Sequence, residues 1–226
     1  MRLIRLSYPT NSMAAVAFGH ASSTVNGTGA TSRTWAHDCT GDNYLVVSVN
    51  HRNDPGTSSA TYNGTTVPLL ETQNASFNFQ TFYGLASPAS GSNNIVATWT
   101  NSTNVGAGGI SVNGYVSAGT VIKGLQGAGS GNYSTSSVTL TANDMLVGAS
   151  GVPDQIGTIS VVTGTERFEG GNGSVDATCS GATNTGVGSV LITWNYTSAD
   201  PRTWIAIPLI GSGDTVTPDL RTYHYT

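Results

Sequence analysis

The chain has 226 residues, of which 38% are hydrophobic and only 9% charged, and its net charge is −4 with Lys123 as the sole lysine. Phosphate neutralisation requires clustered lysine and arginine, so this composition argues against nucleic-acid binding. No apolar run approaches the roughly 20 residues of a membrane-spanning helix, so we expect no membrane anchor.

The N-terminus resembles a signal peptide only briefly. The apolar run at residues 13–18 is shorter than the apolar region of a secretory signal, and Pro9 and Asn11 interrupt the approach to it. We therefore expect mature sequence, made in a host cytoplasm without a signal peptide. Residues 1–12 are interpreted as an N-terminal arm.

Short alternating runs separated by turn residues dominate the chain, which is the pattern of β-strands. Within residues 43–50, Leu45, Val47 and Val49 share one face of a predicted strand. Asn63-Gly64 predicts a two-residue hairpin turn, because both residues tolerate positive φ angles.

Further strands are predicted along the rest of the chain, and no segment has a sustained helical period. Residues 124–137 are rich in Gly and Ser and are interpreted as a long loop. The additional strands are expected at residues 75–80, 94–100, 158–163, 189–196 and 204–210.

A weak similarity links residues 43–47 to residues 143–147. A two-fold repeat is one explanation, and chance similarity between two strands is the preferred one. We predict one domain at residues 13–210, followed by a C-terminal tail at residues 211–226.

Carboxylates for hydrolytic catalysis are few. The glutamates are Glu71, Glu166 and Glu169, and the last two point to opposite faces of an extended segment, which does not suit a shared acid–base site. We therefore predict that the protein is not an enzyme and has no cofactor.

His37, Asp38 and Cys39 have the residue types of a catalytic triad, but consecutive residues of a strand alternate faces, so we expect no catalysis there. Asp38, Asp42 and Asn43 surround a tight turn and offer the hard oxygen ligands that calcium prefers. Asx residues are also ordinary turn formers, and that explanation is preferred.

Cys39 and Cys179 are the only cysteines. Two sheets can bring distant strands together, so a disulfide is one alternative, whereas a cytosolic origin favours reduced thiols. Trp99, Trp194 and Trp204 share faces with aliphatic residues, so core packing is preferred for the four tryptophans over the alternative of a platform on which sugars stack. Tyrosines are predicted at the surface, among them Tyr44, Tyr62, Tyr115 and Tyr133.

Four runs occur in the order of a β-sandwich domain found in phage virion proteins and bacterial surface proteins. They are YLVVSV at 44–49, ATYNGT at 60–65, FYGLASPASGSNNIV at 82–96 and WIAIPL at 204–209. The chain resembles this family from residue 22 to residue 210. The resemblance implies a jelly-roll-like or immunoglobulin-like sandwich in a virion or surface setting, and it carries over no catalytic residues.

The expected fold is therefore an all-β antiparallel β-sandwich, jelly-roll-like, with extended terminal arms. The predicted function is a virion structural protein, either a phage capsid decoration (cement) protein or a tail or fibre component, which contacts other virion proteins and forms a homo-oligomer. The alternative is a carbohydrate-binding or adhesin module for host-surface glycans. We expect the arms to make the contacts, through Leu3, Ile4, Leu6, Tyr223 and Tyr225.

Overall fold

The structure, a computed structural model, describes residues 14–25, 29–127, 129–153, 159–170, 177–197 and 200–212. Strands make up 72% of it, without helices in the described ranges, and they form several antiparallel sheets, one of them nearly barrel-shaped. The predicted all-β class is confirmed. The proposed contact residues Leu3, Ile4, Leu6, Tyr223 and Tyr225 lie outside the described residues.

The first half of the chain forms one eight-stranded sheet. Its strands are β1 (Ala17–Val25), β2 (Ala30–Asp38), β3 (Tyr44–Arg52), β4 (Ser58–Tyr62), β5 (Thr65–Val67), β6 (Leu69–Ala75), β7 (Asn78–Ala86) and β8 (Ser92–Asn113). Six of them run in the order β5-β4-β8-β3-β7-β6, and β1 and β2 both pair with β8.

The 22-residue strand β8 organises this sheet. Its first part pairs with β2 and β4, and its second part pairs with β1 and β3. The two parts therefore belong to two layers, and side chains from both meet in one core that contains Trp35, Leu45, Tyr62, Ile95 and Trp99.

The second half of the chain forms a six-stranded sheet and two small ones. Its strands are β9 (Tyr115–Ala118), β10 (Ile122–Gln126), β11 (Gly131–Ser134), β12 (Val138–Leu140), β13 (Met145–Val152), β14 (Ile159–Thr163), β15 (Thr165–Gly170), β16 (Thr178–Asn184), β17 (Gly188–Val190), β18 (Thr193–Tyr196) and β19 (Arg202–Gly211). The large sheet has the order β10-β19-β13-β16-β15, with β9 also on β19, and the small sheets are β11-β18-β14 and β12-β17.

Two further cores complete the stack of layers. The middle core joins the two halves, since Val46 and Ile110 of the first sheet pack with Val147 and Ile205 of the second. The third core lies on the opposite face of the six-stranded sheet, where Trp194 is completely buried. Because side chains alternate between the two faces of a strand, each large sheet contributes to two different cores.

The two segments of weak similarity both lie in central strands. β3 lies between β7 and β8, and β13 lies between β16 and β19. The aligned residues do not share a core, however, since Leu45 lies in the core of the first half and the aligned Met145 lies in the middle core. Chance similarity between two strands therefore stays the preferred explanation.

Several local predictions are confirmed and three are wrong. The predicted strand at residues 189–196 is divided into β17 and β18, which lie in different small sheets. Asn63 and Gly64 form the hairpin turn between β4 and β5, with φ angles of 48° and 75°. Residues 75–80 are not one strand, because Ser76 with φ of 53° and Phe77 form the turn between β6 and β7. The predicted loop at residues 124–137 contains parts of β10 and β11, whose glycines pair in sheets. Among the described residues, no helix is long and apolar enough to cross a membrane.

Candidate functional site

A chain of hydrogen bonds joins β1, β2, β8 and the turn after β2. Trp35 Nε1 donates to Ser22 Oγ (3.1 Å), which donates to His37 Nδ1 (2.7 Å), and His37 Nε2 donates to Ser111 Oγ (3.0 Å). Ser111 Oγ and His20 Nδ1 then both donate to Asp42 Oδ2, over 2.5 and 2.8 Å. Ser111 Oγ also lies 3.2 Å from Asp38 O, a second acceptor in the same region.

The protonation states follow from this arrangement. Burial lowers the pKa of His37 to about 4, so its ring is neutral and accepts at Nδ1. The hydrogen bond to Asp42 raises the pKa of His20, which lies near the surface. Ser111 is 0% exposed, so no substrate reaches its hydroxyl, and we interpret the chain of hydrogen bonds as a structural clamp.

Side chains around the turn after β2 make hydrogen bonds inside the fold. Asp38 Oδ1 accepts from the backbone N (2.8 Å) and Oγ1 (2.7 Å) of Thr40, and Asn43 exchanges two hydrogen bonds with the backbone of Tyr115. These contacts correspond to the role of turn formers that the sequence favoured for the Asx residues. Across the described ranges, no group of three or more His, Cys, Asp or Glu side chains is placed to hold a metal ion.

The three glutamates are not brought together. Glu71 lies on β6, where the hydrogen bond from Lys123 lowers its pKa, while Glu166 and Glu169 lie on β15 at the far edge of the other large sheet. Burial, with a smaller contribution from Glu166, raises the pKa of Glu169.

Both cysteines are free thiols. Cys39 lies in the core of the first half and Cys179 in the middle core, so the structure corresponds to the alternative without a disulfide. Burial raises the pKa of both, that of Cys179 to about 12, and both are therefore protonated.

The tryptophans lie in the cores as predicted, each with no more than 8% exposure. The prediction of exposed tyrosines is wrong for Tyr44 and Tyr62, which are 4% and 0% exposed, because strand alternation turns both rings into cores. Tyr115 is half-buried and stacks on Tyr44, with ring centroids 4.1 Å apart.

A cleft of about 470 Å³ opens between the loop that joins β3 to β4 and the outer strands β6 and β7. Asn74 is paired with Phe79 and Thr72 with Thr81, so these four side chains share one face and form the floor. Residues 54–58 of the loop line the opposite side. No local sequence pattern indicates this cleft, because its residues belong to segments far apart in the chain.

The loop beside the cleft is fixed by local turn chemistry. Asp54 Oδ1 accepts a hydrogen bond of 2.8 Å from the backbone N of Gly56, which has a φ of 68°. Thr100 N donates to Pro55 O over 3.1 Å, and Asn101 Nδ2 donates to Asp54 O over 3.2 Å. The wall of the cleft is thereby attached to β8.

The cation of the cleft is already paired. Lys123 Nζ donates to Glu71 Oε1 over 2.9 Å and to Thr72 O over 3.1 Å. These contacts connect β10 of the second half to β6 of the first. Because the ammonium lies beside a carboxylate, the cleft has little excess positive charge.

Three strands form one side of the molecule, which we call the β6–β9–β10 margin. β9 and β10 pair with β19 on the side away from β13, and β6 ends the first sheet next to β10. Leu69 of β6, Val116 of β9 and Leu125 of β10 are 53%, 62% and 58% exposed. The margin thus combines edge strands with exposed apolar side chains.

Comparisons with known proteins assign the chain to no family. No protein-family description matches the chain, and no curated protein matches it. Among solved structures, one similar chain is a conserved protein of unknown function from Pseudomonas aeruginosa PAO1. It is 14% identical, and the match covers 88% of this chain and 100% of that one with a TM-score of 0.29. A score this low carries no argument about fold or function.

Proposed function

We propose that this chain is a non-enzymatic structural subunit of a virus-like particle. The best description is a bacteriophage capsid decoration (cement) protein, or else a component of the tail or fibre. In this role the chain contacts other virion proteins and further copies of itself. The observation that carries the proposal is the β6–β9–β10 margin.

Edge strands offer unpaired backbone N–H and C=O groups, and monomeric proteins usually protect them with charged side chains. The margin has one charged pair, Lys123 with Glu71, and otherwise presents Leu69, Val116 and Leu125, in a chain with only 9% charged residues. Exposed apolar groups beside open edges are typical of surfaces that another protein covers. A neighbouring subunit would bury the apolar side chains and would form hydrogen bonds with the free backbone groups of the strand edges.

The stacked architecture supports a mechanical role. The middle core is built from both halves, so the β-layers resist separation as one body. We propose that the finer arrangement is a jelly-roll-like sandwich, which the face-to-face packing around the bent strand β8 supports. The resemblance to phage virion domains and the neutral, hydroxyl-rich composition support the virion setting.

Mass spectrometry and electron cryo-microscopy of particles purified from a lysate of the source test the proposal. We expect the chain in many copies per particle, at the particle surface. Its absence from purified particles would contradict the proposal.

Variants then test the margin. Val116→Ser and Leu125→Ser, made together, are expected to reduce the number of copies per particle severalfold, because they remove apolar contact area. Val187→Ser is the matched control, since Val187 is 77% exposed and lies in the turn between β16 and β17. Equal incorporation of all variants would exclude the margin as the contact surface.

A further inference from the structure

We infer that the cleft between residues 54–58 and the β6–β7 floor is a binding site for a neutral oligosaccharide. This function goes beyond the proposed structural role and does not depend on it. The volume of about 470 Å³ lies within the roughly 300–1,000 Å³ of small-ligand sites.

The floor offers an aromatic surface beside hydrogen-bonding groups. Phe79 is half-buried and lines the cleft, and Leu69 at one end extends its apolar part. A pyranose ring has an apolar face of C–H groups that packs on an aromatic ring, while its hydroxyls remain at the edge. This combination of an aromatic floor and a polar rim suits a sugar ring.

The polar groups next to Phe79 are available to a ligand. Asn74 and Thr72 are exposed, and their side chains make no hydrogen bond within the described part of the chain. An amide and a hydroxyl each supply both a donor and an acceptor, as do neighbouring hydroxyls of a sugar. Both side chains lie on the same face of β6 as Phe79 does on β7.

The charges of the cleft select for a neutral ligand. Lys123 is paired with Glu71, and Asp54 uses one carboxylate oxygen on the loop backbone. The two charged residues that line the cleft, Lys123 and Asp54, thus each have a partner inside the protein. A sialylated or sulfated glycan would need unpaired cations, which this site does not supply.

The site is formed before the ligand arrives. Its floor is a paired region of sheet, and its wall is attached to β8 through Pro55 and Asn101. A rigid site loses little conformational entropy on binding, which compensates for the few contacts of a small ligand.

A glycan array tests the inference, with neutral oligosaccharides of glucose, mannose, galactose and N-acetylglucosamine printed beside sialylated and sulfated glycans. We expect the full chain to bind at least one neutral oligosaccharide, and isothermal titration calorimetry with that compound then gives Kd. Asn74→Ala and Phe79→Leu are expected to raise Kd about tenfold or more each. Circular dichroism checks that both variants fold.

Thr139→Ala is the control, because Thr139 is an exposed threonine on β12, away from the cleft, and we expect its Kd to equal that of the parent chain. Binding of acidic glycans only, no binding of any neutral glycan, or equal Kd values in all variants would each overturn the inference. A chain that enters particles but binds no neutral glycan would refute this site and leave the structural role intact.

Discussion

At the scale of single residues, the buried histidines differ in how they are accommodated. His37 has hydrogen-bond partners at both ring nitrogens, Ser22 and Ser111. His51 is 0% exposed, and neither of its nitrogens has a partner within the described residues. Its ring instead packs edge-on against Trp99, with centroids 4.9 Å apart. His37 is therefore part of the hydrogen-bonded clamp, whereas His51 contributes only packing.

His51→Phe is therefore expected to stabilise the protein at neutral pH. The substitution keeps the ring contact with Trp99 and removes two buried polar atoms without partners, whose burial is unfavourable. We expect a gain of about 1 kcal/mol in the free energy of unfolding, measured by urea titration. His37→Phe is the comparison, because it leaves Ser22 and Ser111 without their partner and should destabilise.

Acid is expected to weaken the fold through the same two histidines. Burial lowers the pKa of His37 to about 4 and that of His51 to about 3. In the unfolded chain both rings bind a proton near pH 6.5, whereas in the native protein they stay neutral to much lower pH. The free energy of unfolding is therefore highest above pH 6.5 and declines as the pH falls toward 4.

Each histidine should remove up to about 1.4 kcal/mol per pH unit in that window. The raised pKa of His20 acts in the opposite direction, since its contact with Asp42 is complete below pH 6.5 and is lost as the pH rises through its raised value. Unfolding titrations at half-unit steps from pH 7 to pH 4 measure the slope. A slope unchanged in His51→Phe would show that His51 is not the cause.

Asn50 connects the two halves at the polar end of the middle core. Its Nδ2 donates to Val152 O over 2.9 Å and to Thr178 O over 3.1 Å, and the residue is 0% exposed. Asn50→Ala leaves two buried carbonyls without a donor and should cost about 2–4 kcal/mol of stability. The exposed Asn132, which accepts from Asn195, is the matched control and should cost less than about 0.5 kcal/mol as Asn132→Ala.

At the scale of elements, β8 of the first half approaches β15 and β16 of the second half closely, backbone to backbone. A Cβ on Gly106 of β8 would lie 2.3 Å from Gly170 O and 2.8 Å from Cys179 N. Backbone atoms of paired strands cannot rotate away as a side chain can. A larger residue there therefore forces β8 away from β15 and β16.

Gly106→Ala is expected to lower the free energy of unfolding by about 2–4 kcal/mol for this reason. Gly127→Ala is the control, because a Cβ on Gly127 meets nothing within 4 Å. Urea midpoints compared at a common m-value give the difference. Equal midpoints would mean that the strands separate without loss of packing.

Elements with a clear two-residue period were predictable, and their faces were too. Ile95, Trp99 and Trp194 lie in cores as the alternation indicated, because one face of each strand is buried. The turn at Ser76 and Phe77 was not predictable, because Phe77 and Phe79 continue a two-residue period across it. The strands in the Gly-rich stretch were not predictable either, since glycine and serine give no hydrophobic period. The cleft depends on loop residues that meet β6 and β7 only in the folded chain, so no local pattern signals it.

At the scale of the whole molecule, the middle core makes the two halves interdependent. Phe82 and Ile110 come from the first half, and Val147 and Ile205 from the second. Neither half can bury these faces alone, so we expect both to unfold together. β3 and β13 are each an interior strand of a large sheet, and both contribute side chains to this shared core.

Ile205→Ala tests this coupling. Removing a fully buried side chain from the shared core should cost about 2–5 kcal/mol and shift one calorimetric peak as a whole. The ratio of calorimetric to van't Hoff enthalpy should stay at about one, which is the value for a domain that unfolds in a single cooperative step. A peak that splits, with one part unshifted, would show that the halves unfold separately.

Lys123 has a practical consequence. It is the sole lysine of the chain, and the pair that it forms with Glu71 places its amine at the edge of the cleft. Apart from the α-amino group at the N-terminus, an amine-reactive fluorophore therefore has a single side chain to label, and its emission there reports on a bound ligand and on a neighbouring copy. With the α-amino group blocked, the molecule provides one defined conjugation point without any substitution.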